Sequence, residues 1–533
     1  MPTSPTVPEH AAGEADRAPG PHHAPARRGE RPPLTKIVAT IGPASDDAAM
    51  LARLIDAGAN VFRLNFSHGT LEEHGRRLRT IREVADDMHA RVGVLGDLPG
   101  PKIRVGAVPD LARGGGIDLE TGQEVLLDRT LSEAIIRSEN GQPLPALPLT
   151  YGGLVDEVEP GQRVLINDGA VRMLAVATEP GGQAIRCLVT VGGKVTSRKG
   201  INLPETDVRA PALTERDIEL AQWAAEHELD YLALSFVRSA KEIRELRALV
   251  EQYSGDRGTI PIIAKIEKPQ AIRCIDEIAE ATDGIMVARG DLGVEMDIPE
   301  VPPAQKRIIK AARDWGKPCI VATQMLETMI ENATPTRAEA SDVANAIFDR
   351  AGAVMLSGET AVGRHPALVV ETMARIARSA ERALADRDDE ATPPAQLRQT
   401  RYRTAALAHG AWHLARDLDA KAIACWSQLG GTARYLSQNT FDIPIVAWSS
   451  DPAASRRMAL LRGVYPLLAE PPESGRLAEW TDEVEAYLLD HGWASRGDQV
   501  LLIAGRPLGV ARVVNSISVL KLGDPDGGYR LHA

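Results

Sequence analysis

Two carboxylates and an amine are spaced along this chain so that they can converge. In Pro261–Ile298, PIIAKIEKPQAIRCIDEIAEATDGIMVARGDLGVEMDI, an apolar run ends in Lys265 and Glu267, helical spacing follows over Ala271–Ala281, and a second apolar run leads into Arg289-Gly290-Asp291. Strand alternation places Lys265 and Glu267 on one face and Ile266 on the other. In a parallel sheet the ends of neighbouring strands lie side by side, so Glu267 and Asp291 can meet after a whole helical excursion. Such a pair suits a hard divalent cation, Mg2+ (or Mn2+), held by carboxylate oxygens with positions left for substrate oxygens. A lysine beside it can stabilise an enolate or a phosphoryl group in motion. The same residues also fit a surface Lys/Glu pair and an Asp that caps the next helix.

Something must bring those strand ends together. Eight short apolar runs recur from Lys36 onward: KIVATIG, VFRLNFS, RVGVLGD, YLALSF, PIIAKIE, GIMVARG, PCIVATQM and AVMLSGE. Most stand about 25 to 35 residues apart with helical spacing between them, as over Ala48–Ala57, Leu71–Met88, Arg216–Glu226 and Ala304–Trp315, which is the period of a (β/α)8 TIM barrel. In that fold the active site collects where strands end and βα loops begin. Polar residues stand at those ends: Arg63, Asn65, Ser67 and His68 on the second run, Asp97 on the third, Ser235 on the fourth, Lys265 and Glu267 on the fifth, Gly290 and Asp291 after the sixth, Thr323 and Gln324 on the seventh, Ser357 and Glu359 on the eighth. Polar residues also begin loops and cap helices, but their repeated placement after apolar runs favours a site. The parts suit phosphoryl transfer, in which guanidinium and ammonium groups clamp phosphate oxygens and a hydroxyl or an ordered water carries a proton.

The long gap between Asp97 and Tyr231 holds alternating segments, QRVLIND, VRMLAVAT and AIRCLVTV, and reads as a small β domain inserted into a βα loop. After a helix over Ala367–Ala385, RDDEATPPAQ reads as a linker, and beyond it AIACW, IPIVAWS and VLLIAG alternate with helical segments until SISVLKL closes an open α/β sheet. The expected organisation is a disordered tail over 1–33, a barrel over 34–101 and 212–385, the β-rich insert over 102–211, and a C-terminal α/β domain over 386–533. A net charge of -12 argues against nucleic acid or an anionic membrane as partner. No apolar run reaches the length of a membrane span, and Cys187, Cys274, Cys319 and Cys425 form no CxxC pair. A cytoplasmic, reducing location is the expectation.

The chain also resembles the pyruvate kinase family, in motifs spread from Lys36 to the last strand: TKIVATIGPAS, NVFRLNFSHG, GPKIRVG, INDG, KGINLP, LSFVRSA, AKIE, DGIMVARGDLGVE, ATQMLETM, PTRAEASDVANA and AVMLSGETAVGRHP. The resemblance implies a barrel, a β-barrel-like lid domain inserted in it, and a C-terminal effector or assembly domain. It implies the reaction as well: phosphoenolpyruvate and ADP give pyruvate and ATP. By position, Glu267 and Asp291 match the Mg2+ ligands, Lys265 the lysine that steadies the phosphoryl group and the enolate, and Arg63 the arginine on the phosphate. Thr323 and Ser357 match hydroxyl residues near the substrate, where Ser235, Gly290 and Asp291 also belong. Asn65, His68, Arg104, Asp168 and Lys199 match positions on the nucleotide or metal side. As bare sequence, Asn167-Asp168-Gly169 also fits a hairpin turn and Lys199 a solvated charge.

Potassium-dependent members carry DTKGPEIR where this chain has Asp97-Leu98-Pro99-Gly100-Pro101-Lys102-Ile103-Arg104. Leu98 removes a threonine oxygen, and Lys102 puts a fixed ammonium where K+ would bring charge, while Asn65, Ser67 and Asp97 are retained. The resemblance is therefore to the potassium-independent branch. Ser427-Gln428-Leu429-Gly430-Gly431-Thr432-Ala433 resembles the family's effector loop, with Ser427, Gly430 and Thr432 as candidate contacts for a phosphorylated allosteric effector; Thr432 also fits as a helix cap. Leu429 stands where the family often has Ser, and Arg506 departs from the small residue of its AGTPxG motif. The family is usually a homotetramer. Two other readings compete: a Mg2+-dependent aldolase, which would not need the insert with Lys199, and a non-catalytic metabolite sensor, which would be expected to lose Lys265, Arg63 or a metal carboxylate.

Overall fold

The computed structural model describes residues 31–109, 115–255, 258–385, 394, 396, 402–439 and 441–524. Residues 1–30 of the expected tail and most of the expected linker after Ala385 lie outside them. Eight parallel strands close into a barrel: Lys36–Thr40, Val61–Asn65, Gly93–Asp97, Tyr231–Leu234, Ile262–Ile266, Gly284–Ala288, Cys319–Ala322 and Ala353–Leu356, the last pairing back onto the first. Neighbouring registers, such as Asn65 opposite Asp97 and Asp97 opposite Ala233, bring the C-terminal ends to one rim.

Strand alternation explains what reaches that rim. Val61, Leu95, Ala233 and Ile263 belong to the apolar cluster that fills the barrel, whereas Phe62, Leu232, Ala264 and Ile266 pack outward against the helices. Two residues beyond those interior positions stand Arg63, Asp97, Ser235 and Lys265. Thus the apolar filling gives way to charge on the same inward face. The surrounding helices begin where the sequence supplies caps: Thr70, Thr214 and Thr336 each form a reciprocal capping box with the acid three residues on. One expected helix is broken. Cys274 leaves helical dihedrals (φ -113°, ψ 32°), and its thiol donates to Arg238 O at 3.1 Å, so Ala271–Ala281 becomes the end of Pro269–Arg273 and a separate Ile275–Ala281.

The insert folds as a seven-stranded sheet and a two-stranded ribbon around its own apolar core. Its neck is two chains, held where Ile201 N donates to Ile103 O at 2.8 Å and where Arg104 bridges Gly200. The C-terminal sheet has five strands in the order Val464–Leu468, Ile445–Ser449, Ala422–Trp426, Gln499–Ala504 and Ser516–Lys521; the last runs antiparallel to its neighbour. This domain plugs the far end of the barrel. Buried Asp230 accepts from Arg82 at 2.7 Å and from Arg456 at 2.9 Å, and Tyr231 Oη donates to Arg457 O at 2.5 Å.

The segment expected as tail ends earlier than residue 33. Arg31 donates to Trp493 O at 2.7 Å, and Tyr465 Oη lies 2.9 Å from the Pro32 carbonyl that accepts its proton, so these residues strap the barrel to the C-terminal domain. No helix among the described residues is long and apolar enough to cross a membrane.

Candidate active site

Asp97 ends the third strand almost fully buried, and its two carboxylate oxygens face opposite neighbours. Oδ2 accepts from Arg63 Nε at 2.6 Å, and Oδ1 lies 3.1 Å from Lys265 Nζ. Lys265 also donates to Ser235 Oγ at 2.6 Å and sits 2.9 Å from Glu267 Oε1. Ser235 in turn donates to Leu98 O at 2.7 Å. Arg63 reaches the first strand through Thr40 Oγ1 at 3.1 Å, and Thr40 donates to Leu356 O at 2.8 Å. Charges from the second, third and fifth strands thereby form one connected group on the rim.

The electrostatics follow from burial and sign. Burial pushes the Asp97 carboxyl up, but Lys265 and Arg63 outweigh it and hold the group below its usual range. Burial would strip the proton from Lys265, yet Asp97 and Glu267 hold its ammonium well above the ordinary lysine value. Glu267 shifts oppositely to Asp97: burial raises it, the Lys265 charge opposes this, and the Asp291 charge adds to the rise. Two acids whose charges repel across a shared space are a fitting pair of hard oxygen donors for a divalent cation. Glu267 is oriented by Phe236 N, which donates to Oε2 at 2.6 Å from a residue with φ 55°. Among the described residues no group of three or more His, Cys, Asp or Glu is placed to hold a metal.

Next on the rim, Thr323 and Gln324 take left-handed dihedrals (φ 70° and 53°), costly for a β-branched threonine. The strained turn points Thr323 Oγ1 at Gly290 N, which donates to it at 2.7 Å in the first turn of Arg289–Glu295. Arg289 fixes the turn by donating to Thr323 O at 2.8 Å while pairing with Asp342 at 2.6 Å. Asp291, in the same helical turn, lies 3.8 Å from Lys102 Nζ, and Lys102 lies 3.7 Å from Asp168 of the insert. Asn167-Asp168-Gly169 is indeed a turn between strands, with φ 57°, 53° and 83°. It presents Asp168 to the rim all the same.

Other expected residues stand around this group rather than in it. Asn65 Oδ1 accepts from Ser67 N at 3.2 Å, His68 is exposed, and Arg104 donates to Arg198 O at 2.9 Å within the insert. Lys199 is half-buried, its carbonyl accepting from Val105 N at 2.8 Å. Ser357 follows the eighth strand, and its N–H donates to Glu359 Oε2 at 2.6 Å. Leu98 is fully buried. In the C-terminal loop, Ser427 Oγ accepts from Ala433 N at 3.1 Å; Gly430 (φ 77°) takes the helix N-cap position, and Thr432 lies inside Gly431–Ser437, so it is not the cap.

Sequence reasoning missed Thr40, the Phe236 amide and Arg289. Thr40 was findable, since it stands two residues beyond the interior Val38. The Phe236 amide and the Arg289 anchor arise from backbone conformations and long reaches that spacing does not encode.

Comparison with known proteins bears on this geometry. The family model described as "Pyruvate kinase, barrel domain" matches residues 33–370, and that described as "Pyruvate kinase, alpha/beta domain" matches 405–520. Among curated relatives, the pyruvate kinase of Corynebacterium efficiens is 40% identical over 490 residues, covering 92% of this chain and 98% of the relative. That of Geobacillus stearothermophilus is 41% identical, covering 92% and 80%. That of Mycobacterium tuberculosis is 39% identical over 491 residues, covering 92% and 99%.

Proposed function

The chain belongs to the pyruvate kinase family and is an enzyme with that family's phosphotransferase activity, and we propose that it uses the Arg63–Asp97–Lys265–Glu267 group to move a phosphoryl group from phosphoenolpyruvate to ADP, giving pyruvate and ATP. The observation that carries the residue roles is the sharing of Asp97 between Arg63 and Lys265. A guanidinium and an ammonium set side by side match a phosphoryl group bound at one end and migrating at the other. Arg63 binds the phosphate. Lys265 faces the charge that spreads over the phosphoryl oxygens and then onto the enolate, and Ser235 and Asp97 hold it there. Thr323, set by Arg289 and Gly290, orients the carboxylate end of the substrate; with Ser357 and water it delivers the proton to the methylene carbon. Glu267 and Asp291 would hold Mg2+ (or Mn2+), which when bound supplies neutralising charge to the substrate oxygens. Asn65, His68, Arg104, Asp168 and Lys199 serve the nucleotide and metal side.

Lys102 supports independence from K+. Its ammonium, between Asp168 and Asp291, brings a fixed positive charge to this side of the rim, and buried Leu98 offers no side-chain oxygen to a monovalent ion. The residues over 102–211 act as the lid, 386–533 as the effector and assembly domain, and Ser427, Gly430 and Thr432 as part of a site for a phosphorylated effector. A homotetramer, with Arg337–Phe348 near the contact, and a cytoplasmic location complete the reading. The test is release of pyruvate from phosphoenolpyruvate and ADP with Mg2+ and no added K+.

A further inference from the structure

One helix carries the insert as well as the site. Arg289–Glu295 presents Gly290 and Asp291 in its first turn and meets the insert three times. Lys102 lies 3.8 Å from Asp291, a Cβ on Gly169 would stand 3.8 Å from Val294, and Asn202 Nδ2 donates to Glu295 Oε1 at 2.9 Å. The first is long for an ion pair and the second is an approach with no side chain on the glycine to fill it, while the third is short and fully buried. Asn202 stands in the neck, one residue after Ile201 ties the returning chain to the outgoing one.

Glu295 Oε1 takes a second donor, Lys268 Nζ at 3.0 Å, and Lys268 directly follows Glu267. A single oxygen therefore joins the neck of the insert, the loop after Glu267 and the helix of Asp291. Glu295 is 2% exposed, and neither its Oε2 nor Asn202 Oδ1 takes a hydrogen bond from the described residues. Both residues line a cavity with Pro101, Ile103, Leu203 and Phe236, the last being the residue whose amide orients Glu267. A buried carboxylate with one cation and unused acceptors is a poor source of stability, and an apolar pair of similar volume would serve a merely structural hinge as well.

We propose that Glu295 is a positioning residue: it ties the posture of the insert to the helix and loop that present Asp291 and Glu267, so that nucleotide held by the lid and phosphoenolpyruvate held by the barrel are brought into line. The proposal rests on the reading of the insert as the nucleotide-side lid.

Glu295→Gln and Asn202→Ala, singly and together, test it. Glu295→Gln is expected to lower kcat about tenfold and raise the KM for ADP about fivefold, with the KM for phosphoenolpyruvate within about twofold of wild type. Asn202→Ala should act in the same direction, and the double variant should be little worse than Glu295→Gln alone. Amide hydrogen exchange, read without turnover, should quicken over both 201–203 and 289–295 in Glu295→Gln. Additive effects of the two substitutions, equal losses for both substrates, or unchanged exchange in either segment would overturn the tie. A wild-type protein that formed no pyruvate would sink the functional reading instead, and the exchange result would still decide whether the tie exists.

Discussion

Arg63 and Lys265, on the second and fifth strands of the barrel and so not on neighbouring ones, share the single carboxylate of Asp97, at 2.6 Å and 3.1 Å. Each cation alone would be a flexible side chain at a barrel mouth. Joined through one buried acid, they hold a fixed separation, and under the proposed function that pre-organisation would let positive charge act on a transition state without reorganising.

Asp97→Asn should therefore cost far more than one hydrogen bond. The amide keeps the shape and loses the charge that holds both cations. The expected loss in kcat/KM is about 100-fold or more, equivalent to about 2.7 kcal/mol, with the far-ultraviolet circular dichroism spectrum unchanged. Steady-state kinetics check it, and a change smaller than about threefold would remove Asp97 from the account.

Lys102 sets the expectation for monovalent ions. Turnover of wild type in Tris and in K+ buffers at matched ionic strength should agree within about twofold, whereas Lys102→Glu should turn over slowly without K+ and recover when it is added. Large activation of wild type by K+ would refute this.

A pH effect is expected away from the site. Lys36 is buried where the barrel meets the C-terminal domain, 4.2 Å from the Tyr465 ring centroid. Burial pushes its amine down to about 7, Glu381 partly opposing and Arg462 reinforcing. The folded value lies below the unfolded one, so between about pH 7 and about pH 10 the unfolded chain binds the extra proton and stability rises with pH, by at most about 1.4 kcal/mol per unit. Lys36→Met should lack that rise. Urea unfolding of both proteins across the window measures it, and parallel pH profiles would contradict the assignment.

Much of this was legible in the sequence, for definite reasons. Apolar runs ending in Arg63, Asp97, Lys265 and Thr323 announce a barrel rim, because a closed parallel sheet buries its strands on both faces and leaves polar side chains only at their ends. Alternation also separated Lys265 and Glu267 from Ile266, which packs outward. What spacing does not carry is reach across strands: nothing in the order of residues says that Asp97 takes Arg63 with one oxygen and Lys265 with the other. Nor does it show that Cys274 interrupts a helix, or that Arg31–Pro33, polar and proline-rich, are pinned by Trp493 and Tyr465. The first depends on Arg238, 36 positions before the cysteine, and the second on partners more than 400 positions away.

The central claim is that Lys265 supplies charge to the moving phosphoryl group from a site otherwise built by its neighbours. The most direct test measures pyruvate formation from phosphoenolpyruvate and ADP by wild type and Lys265→Met, with Mn2+ binding to each followed separately. Wild type should turn over; Lys265→Met should fall by about a thousandfold or more while Mn2+ binding is largely kept. A Lys265→Met protein that turned over within about tenfold of wild type would contradict the account.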